Sequence, residues 1–248
     1  MNYNQFIEHE RDRFISFEPI GHIYTVKGEV YSSVTTVIDS YFPKFNADFW
    51  AARKASELGL TKEQLKAQWE EKGEEARNLG TLLHHKIERY YLGLPNDSDS
   101  TYEIFRQFSK KINLAPYRTE WAIFDDKHKV AGTLDFLDYQ NGRFIIYDWK
   151  RSNKLIRNGI PETESRFRKT AFAPICHIPD TTYWHYALQV SVYRYILETN
   201  YGISIAGCRL AVLHPDNKRP YVVEMPYLRE EIISLLENYK LVNTIDND

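Results

Sequence analysis

Hydrophobic positions along the 248 residues recur with two periods, and the change from one to the other lays out the elements. Residues 131–150 read AGTLDFLDYQNGRFIIYDWK, two apolar and β-branched runs divided by Asn141-Gly142. That dipeptide most strongly favours a two-residue type I′ hairpin turn. With it as the loop, Gln140 faces Arg143, and stepping outward sets Asp135 opposite Asp148 and Thr133 opposite Lys150. Period-two alternation then puts these four side chains on one face. The second strand, with Phe144, Ile145, Ile146 and Tyr147, is apolar on both faces and is expected in the interior.

The rest of the chain alternates between strand-like and helix-like patterning. Residues 14–32 alternate around Lys27-Gly28 and predict a small hairpin, followed at Ser32-Ser33-Val34-Thr35-Thr36 by a hydroxyl-rich helix start. Phe49, Trp50, Arg53 and Leu58 suit an amphipathic helix over 46–58, and Thr61 caps another running to about residue 78. A separate helix over 80–91 sets His84 and Glu88 four residues apart on one face, beside a stripe of Leu83, Ile87 and Tyr91. After a loop at 94–100 and a helix over 102–113, a strand over 118–124 turns at 125–128 into the strand holding Gly132 and Asp135. If Phe124 pairs with Lys129, Glu120 falls opposite Thr133 on the face of Asp135 and becomes a third acid. Residues 151–182, with Gly159, Pro161, Pro174 and Pro179, read as a long loop, which inside a compact domain is usually functional. A helix over 184–198 buries Leu188, Val192, Tyr195 and Ile196 and sets Gln189 and Tyr193 four apart. Strands over 203–213 and 219–224, a helix over 228–241 and a frayed acidic tail at 246–248 complete a single domain (1–248). The hairpin and helical annex occupy about the first 79 residues, and internal repeats are absent.

Composition narrows this picture. With 43% hydrophobic residues the chain can bury a good core, and its apolar runs are far too short for a membrane span. The opening MNYNQFIEHERDR has no apolar signal core and carries acids, which argues against secretion and organelle import and predicts a cytoplasmic protein. Cys176 and Cys208 cannot by themselves ligate an iron–sulfur cluster and are expected as buried thiols in a reducing compartment. The net charge of −2 carries no overall bias towards nucleic acid. Just after the acidic hairpin, however, Arg151, Lys154, Arg157, Arg166, Arg168 and Lys169 face only Glu162 and Glu164.

Opposed carboxylates, with Cβ atoms roughly 4.5–5.5 Å apart, repel each other unless something neutralises them. In an interior they need a partner. Asp135, Asp148 and the main-chain carbonyl of Trp149 offer hard oxygen ligands suited to Mg²⁺ or Mn²⁺, and His84 could add a nitrogen. Lys150 beside them could orient water or neutralise charge developing in a transition state. Together these parts fit phosphodiester hydrolysis. The basic side chains Arg151, Lys154, Arg166, Arg168 and Lys169 could track phosphates, while Phe167, Phe172, Tyr183 and Trp184 stack on unpaired bases. Trp50, Arg53 and Lys54 form a second candidate patch.

Gly80-Thr81-x-x-His84, Gly132-x-x-Asp135, Asp148-x-Lys150 and Gln189-x-x-x-Tyr193, with Ser33-Val34-Thr35-Thr36-Val37 upstream, occur in an order that resembles the RecB-like branch of the PD-(D/E)XK nuclease superfamily. Over roughly residues 30–225 the chain looks most like the mitochondrial genome maintenance exonucleases and related phage nucleases. The resemblance implies an α/β (α+β) fold with a mixed central β-sheet flanked by helices, a restriction-endonuclease-like core. It implies a metal-dependent DNase in which His84, Asp135 and Asp148 bind Mg²⁺ or Mn²⁺, Lys150 is catalytic, and Gln189 and Tyr193 support the site or hold the DNA backbone. Asp148 stands where other members have Glu. The cysteines of the iron–sulfur branches are absent, so no cluster is expected. The expected activity is exonucleolytic, on single-stranded or frayed DNA ends in replication, recombination or repair, with a helicase or recombination protein as a candidate partner. A structure-specific endonuclease of the same superfamily and a non-cleaving nucleic-acid-binding subunit are the competing readings. The intact set His84, Asp135, Asp148 and Lys150 argues against the second.

Overall fold

Asn141 and Gly142 both have positive φ, 54° and 75°, as a type I′ turn requires. In the computed structural model, which describes residues 8–245, they join β5 (Val130–Gln140) to β6 (Arg143–Lys150). The residues at 246–248 expected as a frayed tail, and residues 1–7, lie outside the described residues. Pairing runs from Gln140 opposite Arg143 to Phe136 opposite Tyr147, the expected register. Asp135 and Asp148 are the next positions along, just past the last regular pair.

Around this hairpin lies an eight-stranded mixed sheet. β1 (Ile15–Glu18), β2 (Ile23–Val26) and β3 (Glu29–Ser33) form an antiparallel meander, with Lys27 and Gly28 at positive φ in the second turn. β3 then runs parallel to the start of β5, at Ser32 with Val130 and Ser33 with Ala131. β4 (Pro116–Asp125) lies antiparallel along most of β5. A strand has two edges, so β3 and β6 must share the edge of β5 that β4 leaves. Between them, Gly132 to Asp135 have no regular strand partner on that edge, and the sheet carries a notch. On the far side, β6 pairs in parallel with β9 (Ile205–Val212), which pairs antiparallel with β10 (Tyr221–Met225).

Alternation along β6 supplies two faces. Ile146 packs into a core with α1 (Val34–Asp39), α5 (Thr182–Asn200) and α6 (Arg229–Ile245), through side chains such as Val37, Leu188, Ile196 and Leu235. Tyr147 and Trp149 pack the other way, against Leu83 and Ile87 of α3 (Lys62–Tyr91) and Phe105 and Phe108 of α4 (Ser100–Lys111). The fold is thus mixed α/β, a sheet of parallel and antiparallel strands flanked by helices. α2 (Ala47–Lys54) packs on the N-terminal part of α3 through Ala51, Ala55 and Leu65. Short 3₁₀ turns at Asp12–Phe14 and Ser56–Leu58 complete the described helices. No helix among the described residues is long and apolar enough to cross a membrane. Both cysteines are free thiols; Cys208 is buried as expected, and burial pushes it up to about 12, whereas Cys176, expected buried, is exposed in the segment before α5.

Four further features differ from the sequence reading. The two helices expected on either side of residue 79 are one 30-residue helix, α3, which continues through Gly80. An interior glycine costs only about 1 kcal/mol. A full capping box at Thr61–Gln64 and the docking of Leu83 and Ile87 outweigh that cost. The β4–β5 turn lies one residue later than expected, with 126–129 and not 125–128 as its loop: Asp125 pairs with Val130 and Phe124 with Ala131. The Asp125 side chain accepts a hydrogen bond from the Lys127 amide at 3.1 Å, and Lys129 takes φ 53°, so the turn closes by side-chain bonding and a left-handed residue. Glu120 consequently falls opposite Asp135, not Thr133. A two-residue shift preserves the face. Next, residues 15–33 form three strands where one hairpin was expected, while Ser33, at the end of β3, caps α1 as the hydroxyl-rich start predicts, its hydroxyl accepting from the Thr36 amide at 3.1 Å. Finally, the 151–181 segment is partly ordered by a ribbon of β7 (Ile156–Arg157) and β8 (Ile160–Pro161) and a bridge between Thr170 and Pro179.

Candidate functional site

The notch in the sheet is where the chemistry gathers. Glu120 has φ 46°, a strained value for a residue with a side chain, and it interrupts the β4–β5 ladder between Thr119 and Trp121. At the same level Leu134 packs into the α5-side core and Phe136 into the α3-side core, although residues two apart in a flat strand face the same way. β5 therefore rotates at Asp135, and its carboxylate turns along the sheet edge. One oxygen accepts from the Trp149 amide at 2.8 Å. The other lies 3.7 Å from His84 Nδ1.

From α3, His84 reaches over this edge. Its Nδ1 meets Glu120 Oε1 at 3.2 Å and its Nε2 meets the Trp149 carbonyl at 3.0 Å. Burial works to lower the imidazole pKa, but Asp135 and Glu120 overcome it and raise it to about 10. With both nitrogens aimed at oxygens, the ring is an imidazolium donating from each. One ligand atom each from His84, Glu120 and Asp135 lies within 4.8 Å of the others. Asp148, placed in the ligand set on sequence grounds, stands beside this trio and pairs instead with Lys150, Nζ to Oδ2 at 2.7 Å. The Trp149 carbonyl, also expected as a ligand, faces His84.

Asp148 is 0% exposed, and neither of its oxygens accepts a well-aligned hydrogen bond. Burial, then Asp135, push its carboxyl up to about 6. Burial likewise raises Asp135, against the pull of His84. Glu120, Asp135 and Asp148 face two cations, His84 and Lys150, so three charges against two leave one net negative charge. A buried excess of carboxylate with unmet acceptors fits a hard divalent cation.

Lys150 is fixed by a relay that crosses to α5. Its ammonium donates to Gln189 Oε1 at 3.2 Å, and Gln189 Nε2 donates to the Tyr193 hydroxyl at 3.0 Å. Tyr193 packs on the bare backbone of Gly132, where an added Cβ would lie 2.7 Å from its Cε1. Gly132 is thus glycine because a ring needs the space. Burial would lower the Lys150 pKa, but Asp148 and Asp135 raise it, so the side chain acts as a fixed cation.

The other expected residues divide. Thr133 lies at the notch, its Oγ1 3.0 Å from the Tyr24 hydroxyl. Glu88 lines the outer wall of the cleft with Phe17, Thr81 and His85. Arg151 leaves the site and donates to Thr101 on α4 at 3.2 Å. Trp184 is anchored, its Nε1 donating to the Thr163 carbonyl at 2.9 Å. Arg166 is engaged by both oxygens of Glu162, at 2.8 and 3.2 Å. Arg168 is exposed, Lys154 lines a groove with Arg166, and Lys169 lines another. None of these basic residues lines the cleft of about 280 Å³ that holds His84, Asp135 and Lys150.

Sequence reasoning missed three contributors. Tyr24 supports Thr133 from the core of the N-terminal hairpin, and Phe17 of β1 stacks on Tyr24 at 4.5 Å and lines the cleft. The Tyr186 ring lies under the Lys150 ammonium at 4.5 Å. Only Tyr186 had a readable signal, since 186, 189 and 193 are spaced three and four apart on one helix face.

No family model and no curated protein matches the chain. Among solved structures, a similarity is found to the crystal structure of SSO0001, at 17% identity over 85% of this chain and 75% of that one, with a TM-score of 0.36. A likeness that remote carries no argument about this chain's fold or activity, which rest on its own residues.

Proposed function

We propose that this chain is a metal-dependent deoxyribonuclease that hydrolyses phosphodiester bonds, acting on single-stranded or frayed DNA ends. The observation that carries the reading is the convergence of His84, Glu120 and Asp135 within 4.8 Å, one residue row from a buried Asp148–Lys150 pair. Glu120, Asp135, His84, the Trp149 carbonyl and Asp148 form a donor set that suits Mg²⁺ or Mn²⁺. When bound, such an ion supplies Lewis-acid polarisation of a phosphoryl oxygen. To ligate, His84 must give up a proton, which links binding to pH.

The chain's own groups supply the rest. Lys150, held by Asp148 and Gln189 and backed by Tyr186, presents a fixed ammonium to the cleft. It can orient a water and offset negative charge on the phosphorane-like transition state. Because the relay through Gln189 and Tyr193 is already in place, little reorganisation is needed at that moment. Asp135, tied to the Trp149 amide, holds the two inner strands together at the notch.

Digestion of 5′- and 3′-labelled single-stranded, duplex and circular DNA with Mg²⁺ or Mn²⁺ tests the reading. Degradation of linear DNA that EDTA stops and that Lys150→Ala abolishes is the expected result. Equal activity in EDTA or in the variant would refute it, and cleavage of circles would favour the endonuclease reading.

A further inference from the structure

Two patches that the sequence presents separately, the aromatic helix α2 and the basic 151–181 segment, meet in one groove of about 290 Å³. Phe45, Trp50 and Trp69 form one wall and Phe167 the other, with Lys54 and Lys169 at the margins. Trp50 and Phe167 face each other across it with ring centroids 5.9 Å apart, and Phe45 meets Trp69 edge to face at 5.6 Å. Trp50 and Trp69 are half-buried, Trp69 packing against the cluster of Ala51, Ala55 and Leu65, but the two phenylalanines are not core. Phe45 is 65% and Phe167 70% exposed, a large apolar outlay at a surface unless a ligand covers it.

The charge around the rings selects the ligand. Lys54 sits over the Trp50 ring at 5.9 Å. Asp180, the acid in the groove lining, is engaged by His185 Nε2 at 3.0 Å. Asp48 on α2 is engaged by both Lys62 and Lys66 at 2.9 Å, which leaves that triad with one net positive charge. Exposed ring faces flanked by cations match a strand whose bases are unpaired and whose phosphates are negative. A duplex hides its base faces, and an apolar peptide has no use for the lysines.

We infer that this groove is a stacking site for unpaired nucleotides of single-stranded DNA, separate from the cleavage cleft. The inference rests on the nuclease reading for its substrate class and adds a second site, outside the cleft, that holds the unpaired strand. Bases insert beside Trp50 and Phe167 while Lys54 and Lys169 hold the flanking phosphates.

The two tryptophans report occupancy directly. The full chain is titrated in EDTA with an oligo-dT of ~12 nucleotides, with an abasic strand of equal length and with a blunt duplex, following tryptophan emission and anisotropy. Oligo-dT is expected to quench emission and to bind more tightly than either competitor. Phe167→Ala, which trims an exposed ring and spares the core, should weaken oligo-dT by at least about fivefold and leave the abasic strand unchanged. Trp50→Phe, which keeps a stacking ring, should retain binding while losing part of the quench. Equal binding of abasic and thymine strands, no quench, or an unaffected Phe167→Ala would overturn the groove assignment. If wild-type protein still degrades DNA with Mn²⁺ in that case, the groove alone falls; if it degrades no DNA, the nuclease reading falls with it.

Discussion

Two groups of carboxylate and histidine gather along the β4–β5 hairpin, one within its turn and one where α3 and β6 meet it, in opposite electrostatic circumstances. At the turn, Asp125 and His128 are both buried and bonded, Asp125 Oδ2 to His128 Nδ1. Oδ1 accepts from the Lys127 amide at 3.1 Å and from Asn200 at 3.3 Å. Burial works to raise this acid, yet its hydrogen bonds hold it below the usual carboxylate range. Further along the strands, Asp135 and Asp148 are raised, and the buried oxygens of Asp148 lack aligned donors. Similar residue types thus give a carboxylate met by donors at both oxygens in one place, Asp125, and one without aligned donors in the other, Asp148. Burial of a carboxylate is no sign of function in itself; burial without matching donors is, because the protein retains a cost that only a ligand can offset.

Breaking the Asp125–His128 pin should produce the largest effect. Asp125→Asn removes one partner of a buried pair and should cost about 3–5 kcal/mol of stability by chemical denaturation, with cleavage per folded molecule unchanged. Because the native pKa of Asp125 is depressed, its contribution is present above the unfolded value of about 3.9 and lost as pH falls through the native value. The gap between wild type and variant should therefore close in acid. A loss under about 1 kcal/mol at neutral pH would show that the pin is not one.

The reverse change sharpens the contrast. Asp148→Asn should lower kcat by at least about 100-fold. Stability should stay within about 1 kcal/mol, since the amide removes a disfavoured buried charge while Lys150 keeps Gln189 and Tyr186. Full activity, or collapse of the fold, would make Asp148 another structural acid.

A smaller effect is expected at the relay. Gly132→Ala would force Tyr193, and through it Gln189 and Lys150, to shift, with Val34 also only 3.1 Å from the new Cβ. Rate should fall about ten- to a hundredfold with DNA affinity intact. Unchanged kcat would detach the relay from the chemistry.

How much of this was legible depended on how local its cause is. Asn141-Gly142 sets its own dihedrals, so the β5–β6 register followed from two residues. The β4–β5 turn closes through the Asp125 side chain and a left-handed Lys129, which no dipeptide rule announces, so Glu120 was placed two residues away from its true partner. Parity survived, which is why it still stood on the correct face. His84 and Glu88 were on the right helix, although Gly80 was taken as its start. What sequence could not supply were contacts between distant elements: Tyr193 on Gly132, Tyr24 on Thr133, and the meeting of Trp50 with Phe167. Nor could it tell that Arg166 and Trp184 spend their polar groups on Glu162 and Thr163.

The central claim is that the notch needs a cation and the turn does not. Calorimetric titration of the chelator-stripped protein with Mn²⁺ measures this directly. Binding by wild type and by Asp125→Asn, abolished by Asp135→Asn and accompanied by proton release from His84, is the predicted result. Absence of binding in wild type, or binding that survives Asp135→Asn undiminished, would contradict it.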